Sequence, residues 1–66
     1  MEPSPHQQRV ILEKFELDNK LEKLIDFLER NPQYLSLPQD QQLLLARQRA
    51  AMEKYSEILG ERIATF

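Results

Sequence analysis

Apolar residues recur at intervals of three and four in two long segments of the chain, a spacing typical of amphipathic helices. In the first segment they form a stripe of Val10, Leu17, Leu21, Leu24 and Leu28, flanked by Ile11, Phe15 and Ile25. In the second they form a stripe of Leu44, Ala51, Tyr55, Ile58, Leu59 and Phe66, bordered by Leu45, Met52 and Ile63. The pattern predicts two helices and contains no alternation typical of β-strands.

Capping residues set the expected ends of the two helices. Ser4, Pro5 and Gln7 form a capping box with proline at the first helical position. Asn31-Pro32 ends the first helix, because a residue before proline disfavours the α conformation. Ser36 is the expected cap of the second helix. The sequence therefore predicts an all-α antiparallel two-helix hairpin, with helices over about 5–30 and 38–65, in a single domain spanning 1–66.

The small size of the chain favours self-association. A domain of 66 residues barely offsets the entropy of ordering its chain, and such domains usually add disulfides, a metal or oligomerisation. The sequence has no cysteine and one histidine. The apolar face of the first helix is also wider than one partner helix covers. We therefore expect the hairpin to assemble into a homo-oligomeric helical bundle.

The single glycine, Gly60, lies within the second helical segment. The apolar stripe continues in register beyond it, so we expect continuous helix rather than a helix end. Ser56, Gly60 and Ala64 are four residues apart and form a strip of small residues predicted to face away from the hairpin, towards another subunit. The residues predicted to form the subunit interface are Ile11, Phe15, Ile25, Ser56, Gly60 and Ala64.

Polar residues interrupt both apolar faces. Lys14 and Asp18 lie on the apolar face of the first helix. On the apolar face of the second helix, Gln48, Tyr55 and Arg62 recur every seven residues. One interpretation is an ion pair between Lys14 and Asp18 beside a core tyrosine; another is a set of buried polar groups that fixes helix register. The third is a polar slot for an anionic ligand with a flat ring. Its candidate ligand-binding residues are Arg9, Lys14, Gln48, Tyr55 and Arg62.

Composition narrows the function classes. A net charge of −2 is unfavourable for general binding to a phosphate backbone, so nucleic acid is an unlikely partner. No set of residues has metal-ligand spacing, no catalytic set is evident, and we expect no cofactor and no enzymatic activity. No apolar run approaches the roughly 18 residues needed to span a bilayer. We expect a cytoplasmic protein with no membrane partner.

Two segments resemble a family of small phage and prophage proteins related to an uncharacterised protein of a crAss-like phage. They are RVILEKFELDNKLEKLIDFL and LLLARQRAAMEKYSEILGERIATF. The matching positions are Arg9, Glu13, Glu16, Leu17, Lys20, Lys23, Leu24, Met52, Tyr55, Ile58, Leu59, Arg62 and Ile63. The resemblance implies a phage origin, with the host bacterial cytoplasm as the site of action. It does not indicate a biochemical activity.

In length and layout the hairpin is also similar to phage anti-defence sponges, oligomers that sequester cyclic nucleotides of bacterial immune systems. This similarity implies a non-enzymatic anti-defence protein that holds a cyclic or ADP-ribose-type nucleotide at subunit interfaces, with Tyr55 and Lys14 as ligand contacts. The alternatives are a protein-binding inhibitor of a host or defence protein and an RNA-binding hairpin of the Rop type. The latter needs a continuous basic face, whereas Arg47, Arg49 and Lys54 are scattered around the second helix.

Overall fold

The computed structural model describes residues 2–66, which form a helical hairpin without a β-strand. Helix α1 spans Pro5–Arg30, the short helix α2 spans Gln33–Ser36, and helix α3 spans Gln39–Ala64. The helices α1 and α3 pack antiparallel in an elongated molecule about 49 Å long. The predicted fold class is confirmed at this level, and the helix bounds agree with the expectation to within one residue at each end.

The beginning and end of α1 follow the predicted signals. The N–H of Gln7 donates to Ser4 Oγ at 3.2 Å, and the N–H of Ser4 donates to Gln7 Oε1 at 2.9 Å. These two bonds satisfy backbone donors that the first helical turn leaves free. Asn31 ends α1 in an extended conformation, as expected for a residue before Pro32.

The connector differs from the prediction, because Ser36 does not cap α3. Ser36 closes α2, where its hydroxyl donates to the carbonyl of Gln33 at 2.7 Å, and α3 begins after Pro38 without a side-chain cap. The Gln42 side chain instead donates to the carbonyls of Leu35 and Leu37. The start of α3 is thus held by a residue inside its first turn.

An aromatic pair closes the connector end of the hairpin. The ring of Tyr34 meets Phe27 edge to face, with centroids 6.1 Å apart, and its hydroxyl donates to the carbonyl of Gln42 at 3.1 Å. This arrangement buries part of Tyr34 and satisfies its polar end.

Each long helix faces the other along one line of residues spaced by three and four, which we call its inner line. The inner line of α1 consists of Gln7, Val10, Lys14, Leu17, Leu21, Leu24 and Leu28. The inner line of α3 consists of Gln42, Leu45, Arg49, Met52, Ser56, Leu59 and Ile63. The alternating spacing is that of a two-stranded coiled coil. The stripe predicted for α1 therefore faces the partner helix, as expected.

The prediction for α3 was wrong in its rotation. Tyr55, Leu44 and Ile58, expected to face α1, are 43%, 50% and 43% exposed. The residues expected along the border, Met52 and Ile63, pack against the core instead. Leu59, which was also expected to face α1, does so and is the only fully buried large side chain among residues 2–66. Helix α3 is thus turned from the predicted orientation towards the border residues, by less than one residue step of roughly 100°.

The buried core of a single hairpin is small. Among residues 2–66, its buried hydrophobic side chains are Val10, Leu17 and Leu59. Large apolar side chains at the same time remain in solvent on both long helices, including Phe15 at 62% exposure. A chain of this size with so few buried side chains has little core from which to draw stability.

Candidate functional site

A polar triad crosses the hairpin in the middle of the two inner lines. The ammonium Nζ of Lys14 lies 3.0 Å from Asp18 Oδ2 and donates to Ser56 Oγ at 2.7 Å. The hydroxyl of Ser56 in turn donates to Asp18 Oδ1. Each polar group therefore has a partner, and the predicted ion pair between Lys14 and Asp18 is present. Ser56, which was not expected here, joins the pair to α3.

The triad lowers the pKa of the Asp18 carboxyl below its ordinary value. The main cause is the hydrogen bond from Ser56, followed by the hydrogen bond from Lys14. Partial burial acts in the opposite direction and is outweighed. The carboxylate form of Asp18 is therefore the one that fits the folded hairpin.

The strip of small residues faces a different way from the prediction. Ser56 is buried against α1 of its own chain, and a Cβ atom on Gly60 would lie 3.6 Å from Lys14 Cε. The orientation predicted for these two residues was therefore wrong, because they line the contact within the hairpin. Gly60 itself is continuous helix without a positive φ, as expected. Ala64 is exposed in the last turn of α3.

The candidate ligand residues of α3 lie together on its outward side. They belong to a stripe that we call the outer stripe of α3, which consists of Leu44, Gln48, Ala51, Tyr55, Ile58 and Arg62. All six are exposed, and each precedes an inner-line residue by one position. The spacing of three and four matches that of the inner line, so this stripe can meet another helix in the same way.

Lys14 does not join this group in the hairpin. It contacts Ser56 and Asp18, whereas Tyr55 lies one residue, or about 100° around the helix, from Ser56. The structure therefore separates two residues that the sequence placed in one slot. Arg9 precedes Val10 on α1, and positions that precede the inner line share one face in an antiparallel pair. Arg9 is thus on the face of the hairpin that carries Tyr55 and Arg62.

The hairpin also has an apolar surface on α1. The outer stripe of α1 consists of Ile11, Phe15, Glu22 and Ile25, each of which follows an inner-line residue by one position. Ile11 and Phe15 are 41% and 62% exposed, while Ile25 is half-buried. These are the predicted interface residues of α1, and they remain available for a contact outside the hairpin.

No enclosed pocket forms around Tyr55 in the described part of the chain. One surface depression lies on α1 and is lined by three acidic and two basic side chains, Glu22, Asp26, Glu29, Lys23 and Arg30, with Asn19 and Ile25. Another lies at the open end of the hairpin beside Ile11 and Ile63. Neither includes Tyr55 or Arg62. A ligand held by the outer stripe of α3 therefore needs walls from a second molecule.

Other kinds of site find no support among residues 2–66. No group of three or more histidine, cysteine or acidic side chains is placed to hold a metal ion there. None of the helices described has the length and apolar character required to cross a membrane.

Comparison with known protein families shows which family the chain belongs to. Residues 4–65 match the family described as Sequestin. The chain belongs to the Sequestin family. No curated protein and no solved structure matches it. The family name indicates sequestration, that is, binding rather than catalysis.

The part of this Sequestin-family hairpin that sequence reasoning missed is the role of Ser56. A clue was present in the spacing, because Gln42, Arg49 and Ser56 recur every seven residues among apolar residues that face α1. Each finds a partner across the hairpin or at its end: Gln42 at the connector, Arg49 at Glu29 and Ser56 at Lys14. These polar contacts, together with the buried Leu59, mark the inner line of α3.

Proposed function

We propose that the protein is a phage-encoded, non-enzymatic anti-defence protein that sequesters a nucleotide-type immune signal at interfaces between its own copies. The observation that carries the proposal is the outer stripe of α3. It presents Gln48, Tyr55 and Arg62 from an apolar surface that the hairpin leaves uncovered. The resemblance to phage proteins supports the origin, and the family name supports sequestration.

The chemistry of the outer stripe of α3 suits a nucleotide. Tyrosine offers a flat ring on which a base can stack, and arginine pairs with phosphate through two parallel hydrogen bonds. The salt bridges among residues 2–66 involve Lys14, Arg30, Arg49 and Lys54. Arg9 and Arg62 are therefore free for an anionic partner on the same face. A second copy would supply the missing walls of the site and remove it from water, which strengthens both contacts.

Lys14 has a different part in this proposal from the one predicted. Its ammonium is already held by Asp18 and Ser56, so we assign it to the stability and register of the hairpin. The ligand residues are then Gln48, Tyr55 and Arg62, with Arg9 beside them.

The test is isothermal titration calorimetry of the purified protein with a cyclic dinucleotide of guanine and adenine, cyclic triadenylate and ADP-ribose. We expect binding of at least one probe and a loss of tenfold or more in affinity for Tyr55→Ala and for Arg62→Ala. Arg30→Ala is the matched control for Arg62→Ala, because it removes one positive charge at the connector end of α1, far along the hairpin from Tyr55, where Arg30 pairs with Asp26. Absence of binding by all three probes would contradict the proposal.

A second candidate function is inhibition of a host or defence protein. The observation that favours it is the exposed apolar surface around Ile11, Leu12 and Phe15, a kind of patch that often marks a protein contact. Under this alternative, Phe15→Gln would abolish capture of the partner protein while Tyr55→Ala would not. If nucleotide sequestration is the function, Tyr55→Ala is instead the variant that removes binding, so Tyr55→Ala distinguishes the two functions.

A further inference from the structure

The outer stripes of the two long helices lie on opposite faces of the hairpin. Every member of the stripe on α3 precedes an inner-line residue by one position, and every member of the stripe on α1 follows one. In an antiparallel pair, positions that follow the inner line on both helices share one face. The contacts agree: Asp18 and Gly60, which each follow an inner-line leucine, both lie beside Lys14. The hairpin therefore has two separate apolar surfaces.

The two surfaces differ in charge. The ionisable residues in and next to the outer stripe of α1 have an acidic excess: Asp18, Glu22, Asp26 and Glu29 against Lys23 and Arg30. Those in and next to the outer stripe of α3 have a small basic excess: Arg47, Lys54 and Arg62 against Asp40 and Glu61. Packing the same stripe of two copies together would bring charges of the same sign together. Packing the outer stripe of α1 on the outer stripe of α3 brings opposite charges together.

We propose that copies of this chain assemble head to tail, with the outer stripe of α1 from one copy covering the outer stripe of α3 on the next. Such a contact is heterologous, so an open chain of copies keeps one free surface at each end until a ring closes. The proposal builds on the self-association in the proposed function and adds its geometry. It also supplies the second molecule that the surface around Tyr55 needs, through the apolar residues Ile11 and Phe15 of a neighbouring α1.

Two variants, each blocked on one surface, test this geometry. Ile11→Gln with Phe15→Gln removes apolar groups from the stripe on α1, and Leu44→Gln with Ile58→Gln does so on α3. The four positions are between 41% and 62% exposed, and glutamine favours helix and leaves the charges unchanged. Both variants are therefore expected to fold, which far-ultraviolet circular dichroism checks directly.

We expect the wild-type chain to form a closed oligomer of three or more copies in light scattering coupled to size exclusion. Each double variant alone is expected to be a monomer of 7.9 kDa. An equimolar mixture of the two is expected to give a dimer of twice that mass and nothing larger, because one intact contact remains between them.

Three results would overturn the proposal. They are a monomeric wild type, a variant that still dimerises alone through its intact stripe, and a mixture that contains only monomers. Calorimetry with the nucleotide probes tests nucleotide binding separately from the geometry of assembly. Nucleotide binding by a two-fold dimer would overturn the head-to-tail arrangement alone, and a head-to-tail ring that binds none of the probes would overturn nucleotide sequestration alone.

Discussion

The inner line and the outer stripe of α3 have the same spacing of three and four residues but opposite surroundings. The inner line contains Gln42, Arg49 and Ser56 and still faces α1. The outer stripe contains Leu44, Tyr55 and Ile58 and remains exposed. Each contains four apolar residues, so apolar content alone does not distinguish them. Of the two, only the inner line offers Ser56 and Arg49 to Lys14 and Glu29 of α1.

This polar matching has a physical reason. Lys14 lies on the inner line of α1 and Asp18 beside it, with side chains 30% and 44% exposed, so an apolar neighbour would leave their hydrogen bonds to α3 unmade. A small hydroxyl at Ser56 satisfies both, and Gly60 leaves room for the stem of Lys14. A bulky Tyr55 or Ile58 at this level would offer neither. Buried polar groups that fix the register of two helices are known from coiled coils.

The strongest test of the comparison is a pair of neighbouring truncations. Leu59→Ala removes a fully buried side chain and is expected to lower the free energy of unfolding by about 2–5 kcal/mol. Ile58→Ala is the matched control on the outer stripe, and under dilute conditions it is expected to cost less than about 1 kcal/mol. Urea denaturation followed by circular dichroism measures both. Equal losses would mean that the two sides of α3 are not distinguished as described.

The second test uses pH and the triad. Because the pKa of Asp18 is lowered in the folded state, its carboxylate contributes stability that is fully present above the ordinary value of about 3.9. That contribution is lost as the pH falls through the lower, folded pKa. At pH 7 we expect Asp18→Asn to cost on the order of 1 kcal/mol, and the difference from wild type to disappear in strong acid.

A control for the pH experiment is Asp26→Asn. Asp26 also forms an ion pair with a residue four positions away, but both partners are well exposed and α3 is not involved. Exposed pairs of this kind contribute little, so this variant should unfold like the wild type at every pH. A pH-independent effect of Asp18→Asn would show that the triad does not hold a carboxylate.

The third test concerns Gly60, where the effect of a substitution on stability is expected to change sign with side-chain size. A Cβ there makes an ordinary contact with Lys14 Cε, so Gly60→Ala is expected to stabilise the hairpin by about 0.5–1 kcal/mol through helix propensity. Gly60→Leu is expected to destabilise it, because the longer side chain displaces Lys14 from the triad. Thermal unfolding distinguishes the two, and a stabilising leucine would place Gly60 outside the contact with α1.

The smallest expected effect is that of the ion pair between Arg49 and Glu29, whose atoms lie 3.1 Å apart. Both side chains are partly exposed, so a double-mutant cycle with alanine is expected to give a coupling of about 0.2–1 kcal/mol. A coupling of zero would limit the polar matching to the triad, while a larger one would extend it along the inner line.

Much of the fold could be predicted from the sequence because its signals are local. Ser4 and Gln7 cap the helix they precede, and Asn31-Pro32 ends it, without help from tertiary contacts. The apolar stripe of α1 has no competing stripe of equal length, so its facing side was also predictable. Gly60 was correctly placed inside a helix because apolar residues continue beyond it.

The orientation of α3 could not be predicted in the same way. Its two stripes have identical spacing, and the choice depends on which residues meet Lys14 and Glu29 across the hairpin. These contacts join residues 42 and 20 positions apart in the chain, beyond the range of helical periodicity. Of the candidate ligand residues, Gln48, Tyr55 and Arg62 share a surface of the hairpin, whereas Lys14 belongs to the triad. Their role in ligand binding stays a prediction.

The distribution of the buried core has a consequence for how the hairpin opens. Val10, Leu17 and Leu59 all lie in the half of the molecule away from the connector, where the two chain ends come together. Next to the connector, Leu35 is 77% exposed and the leucines of the inner lines are only partly buried. Segments with few buried contacts open first in native-state exchange. Amide protons around the connector are therefore expected to exchange with solvent sooner than those where the start of α1 meets the end of α3.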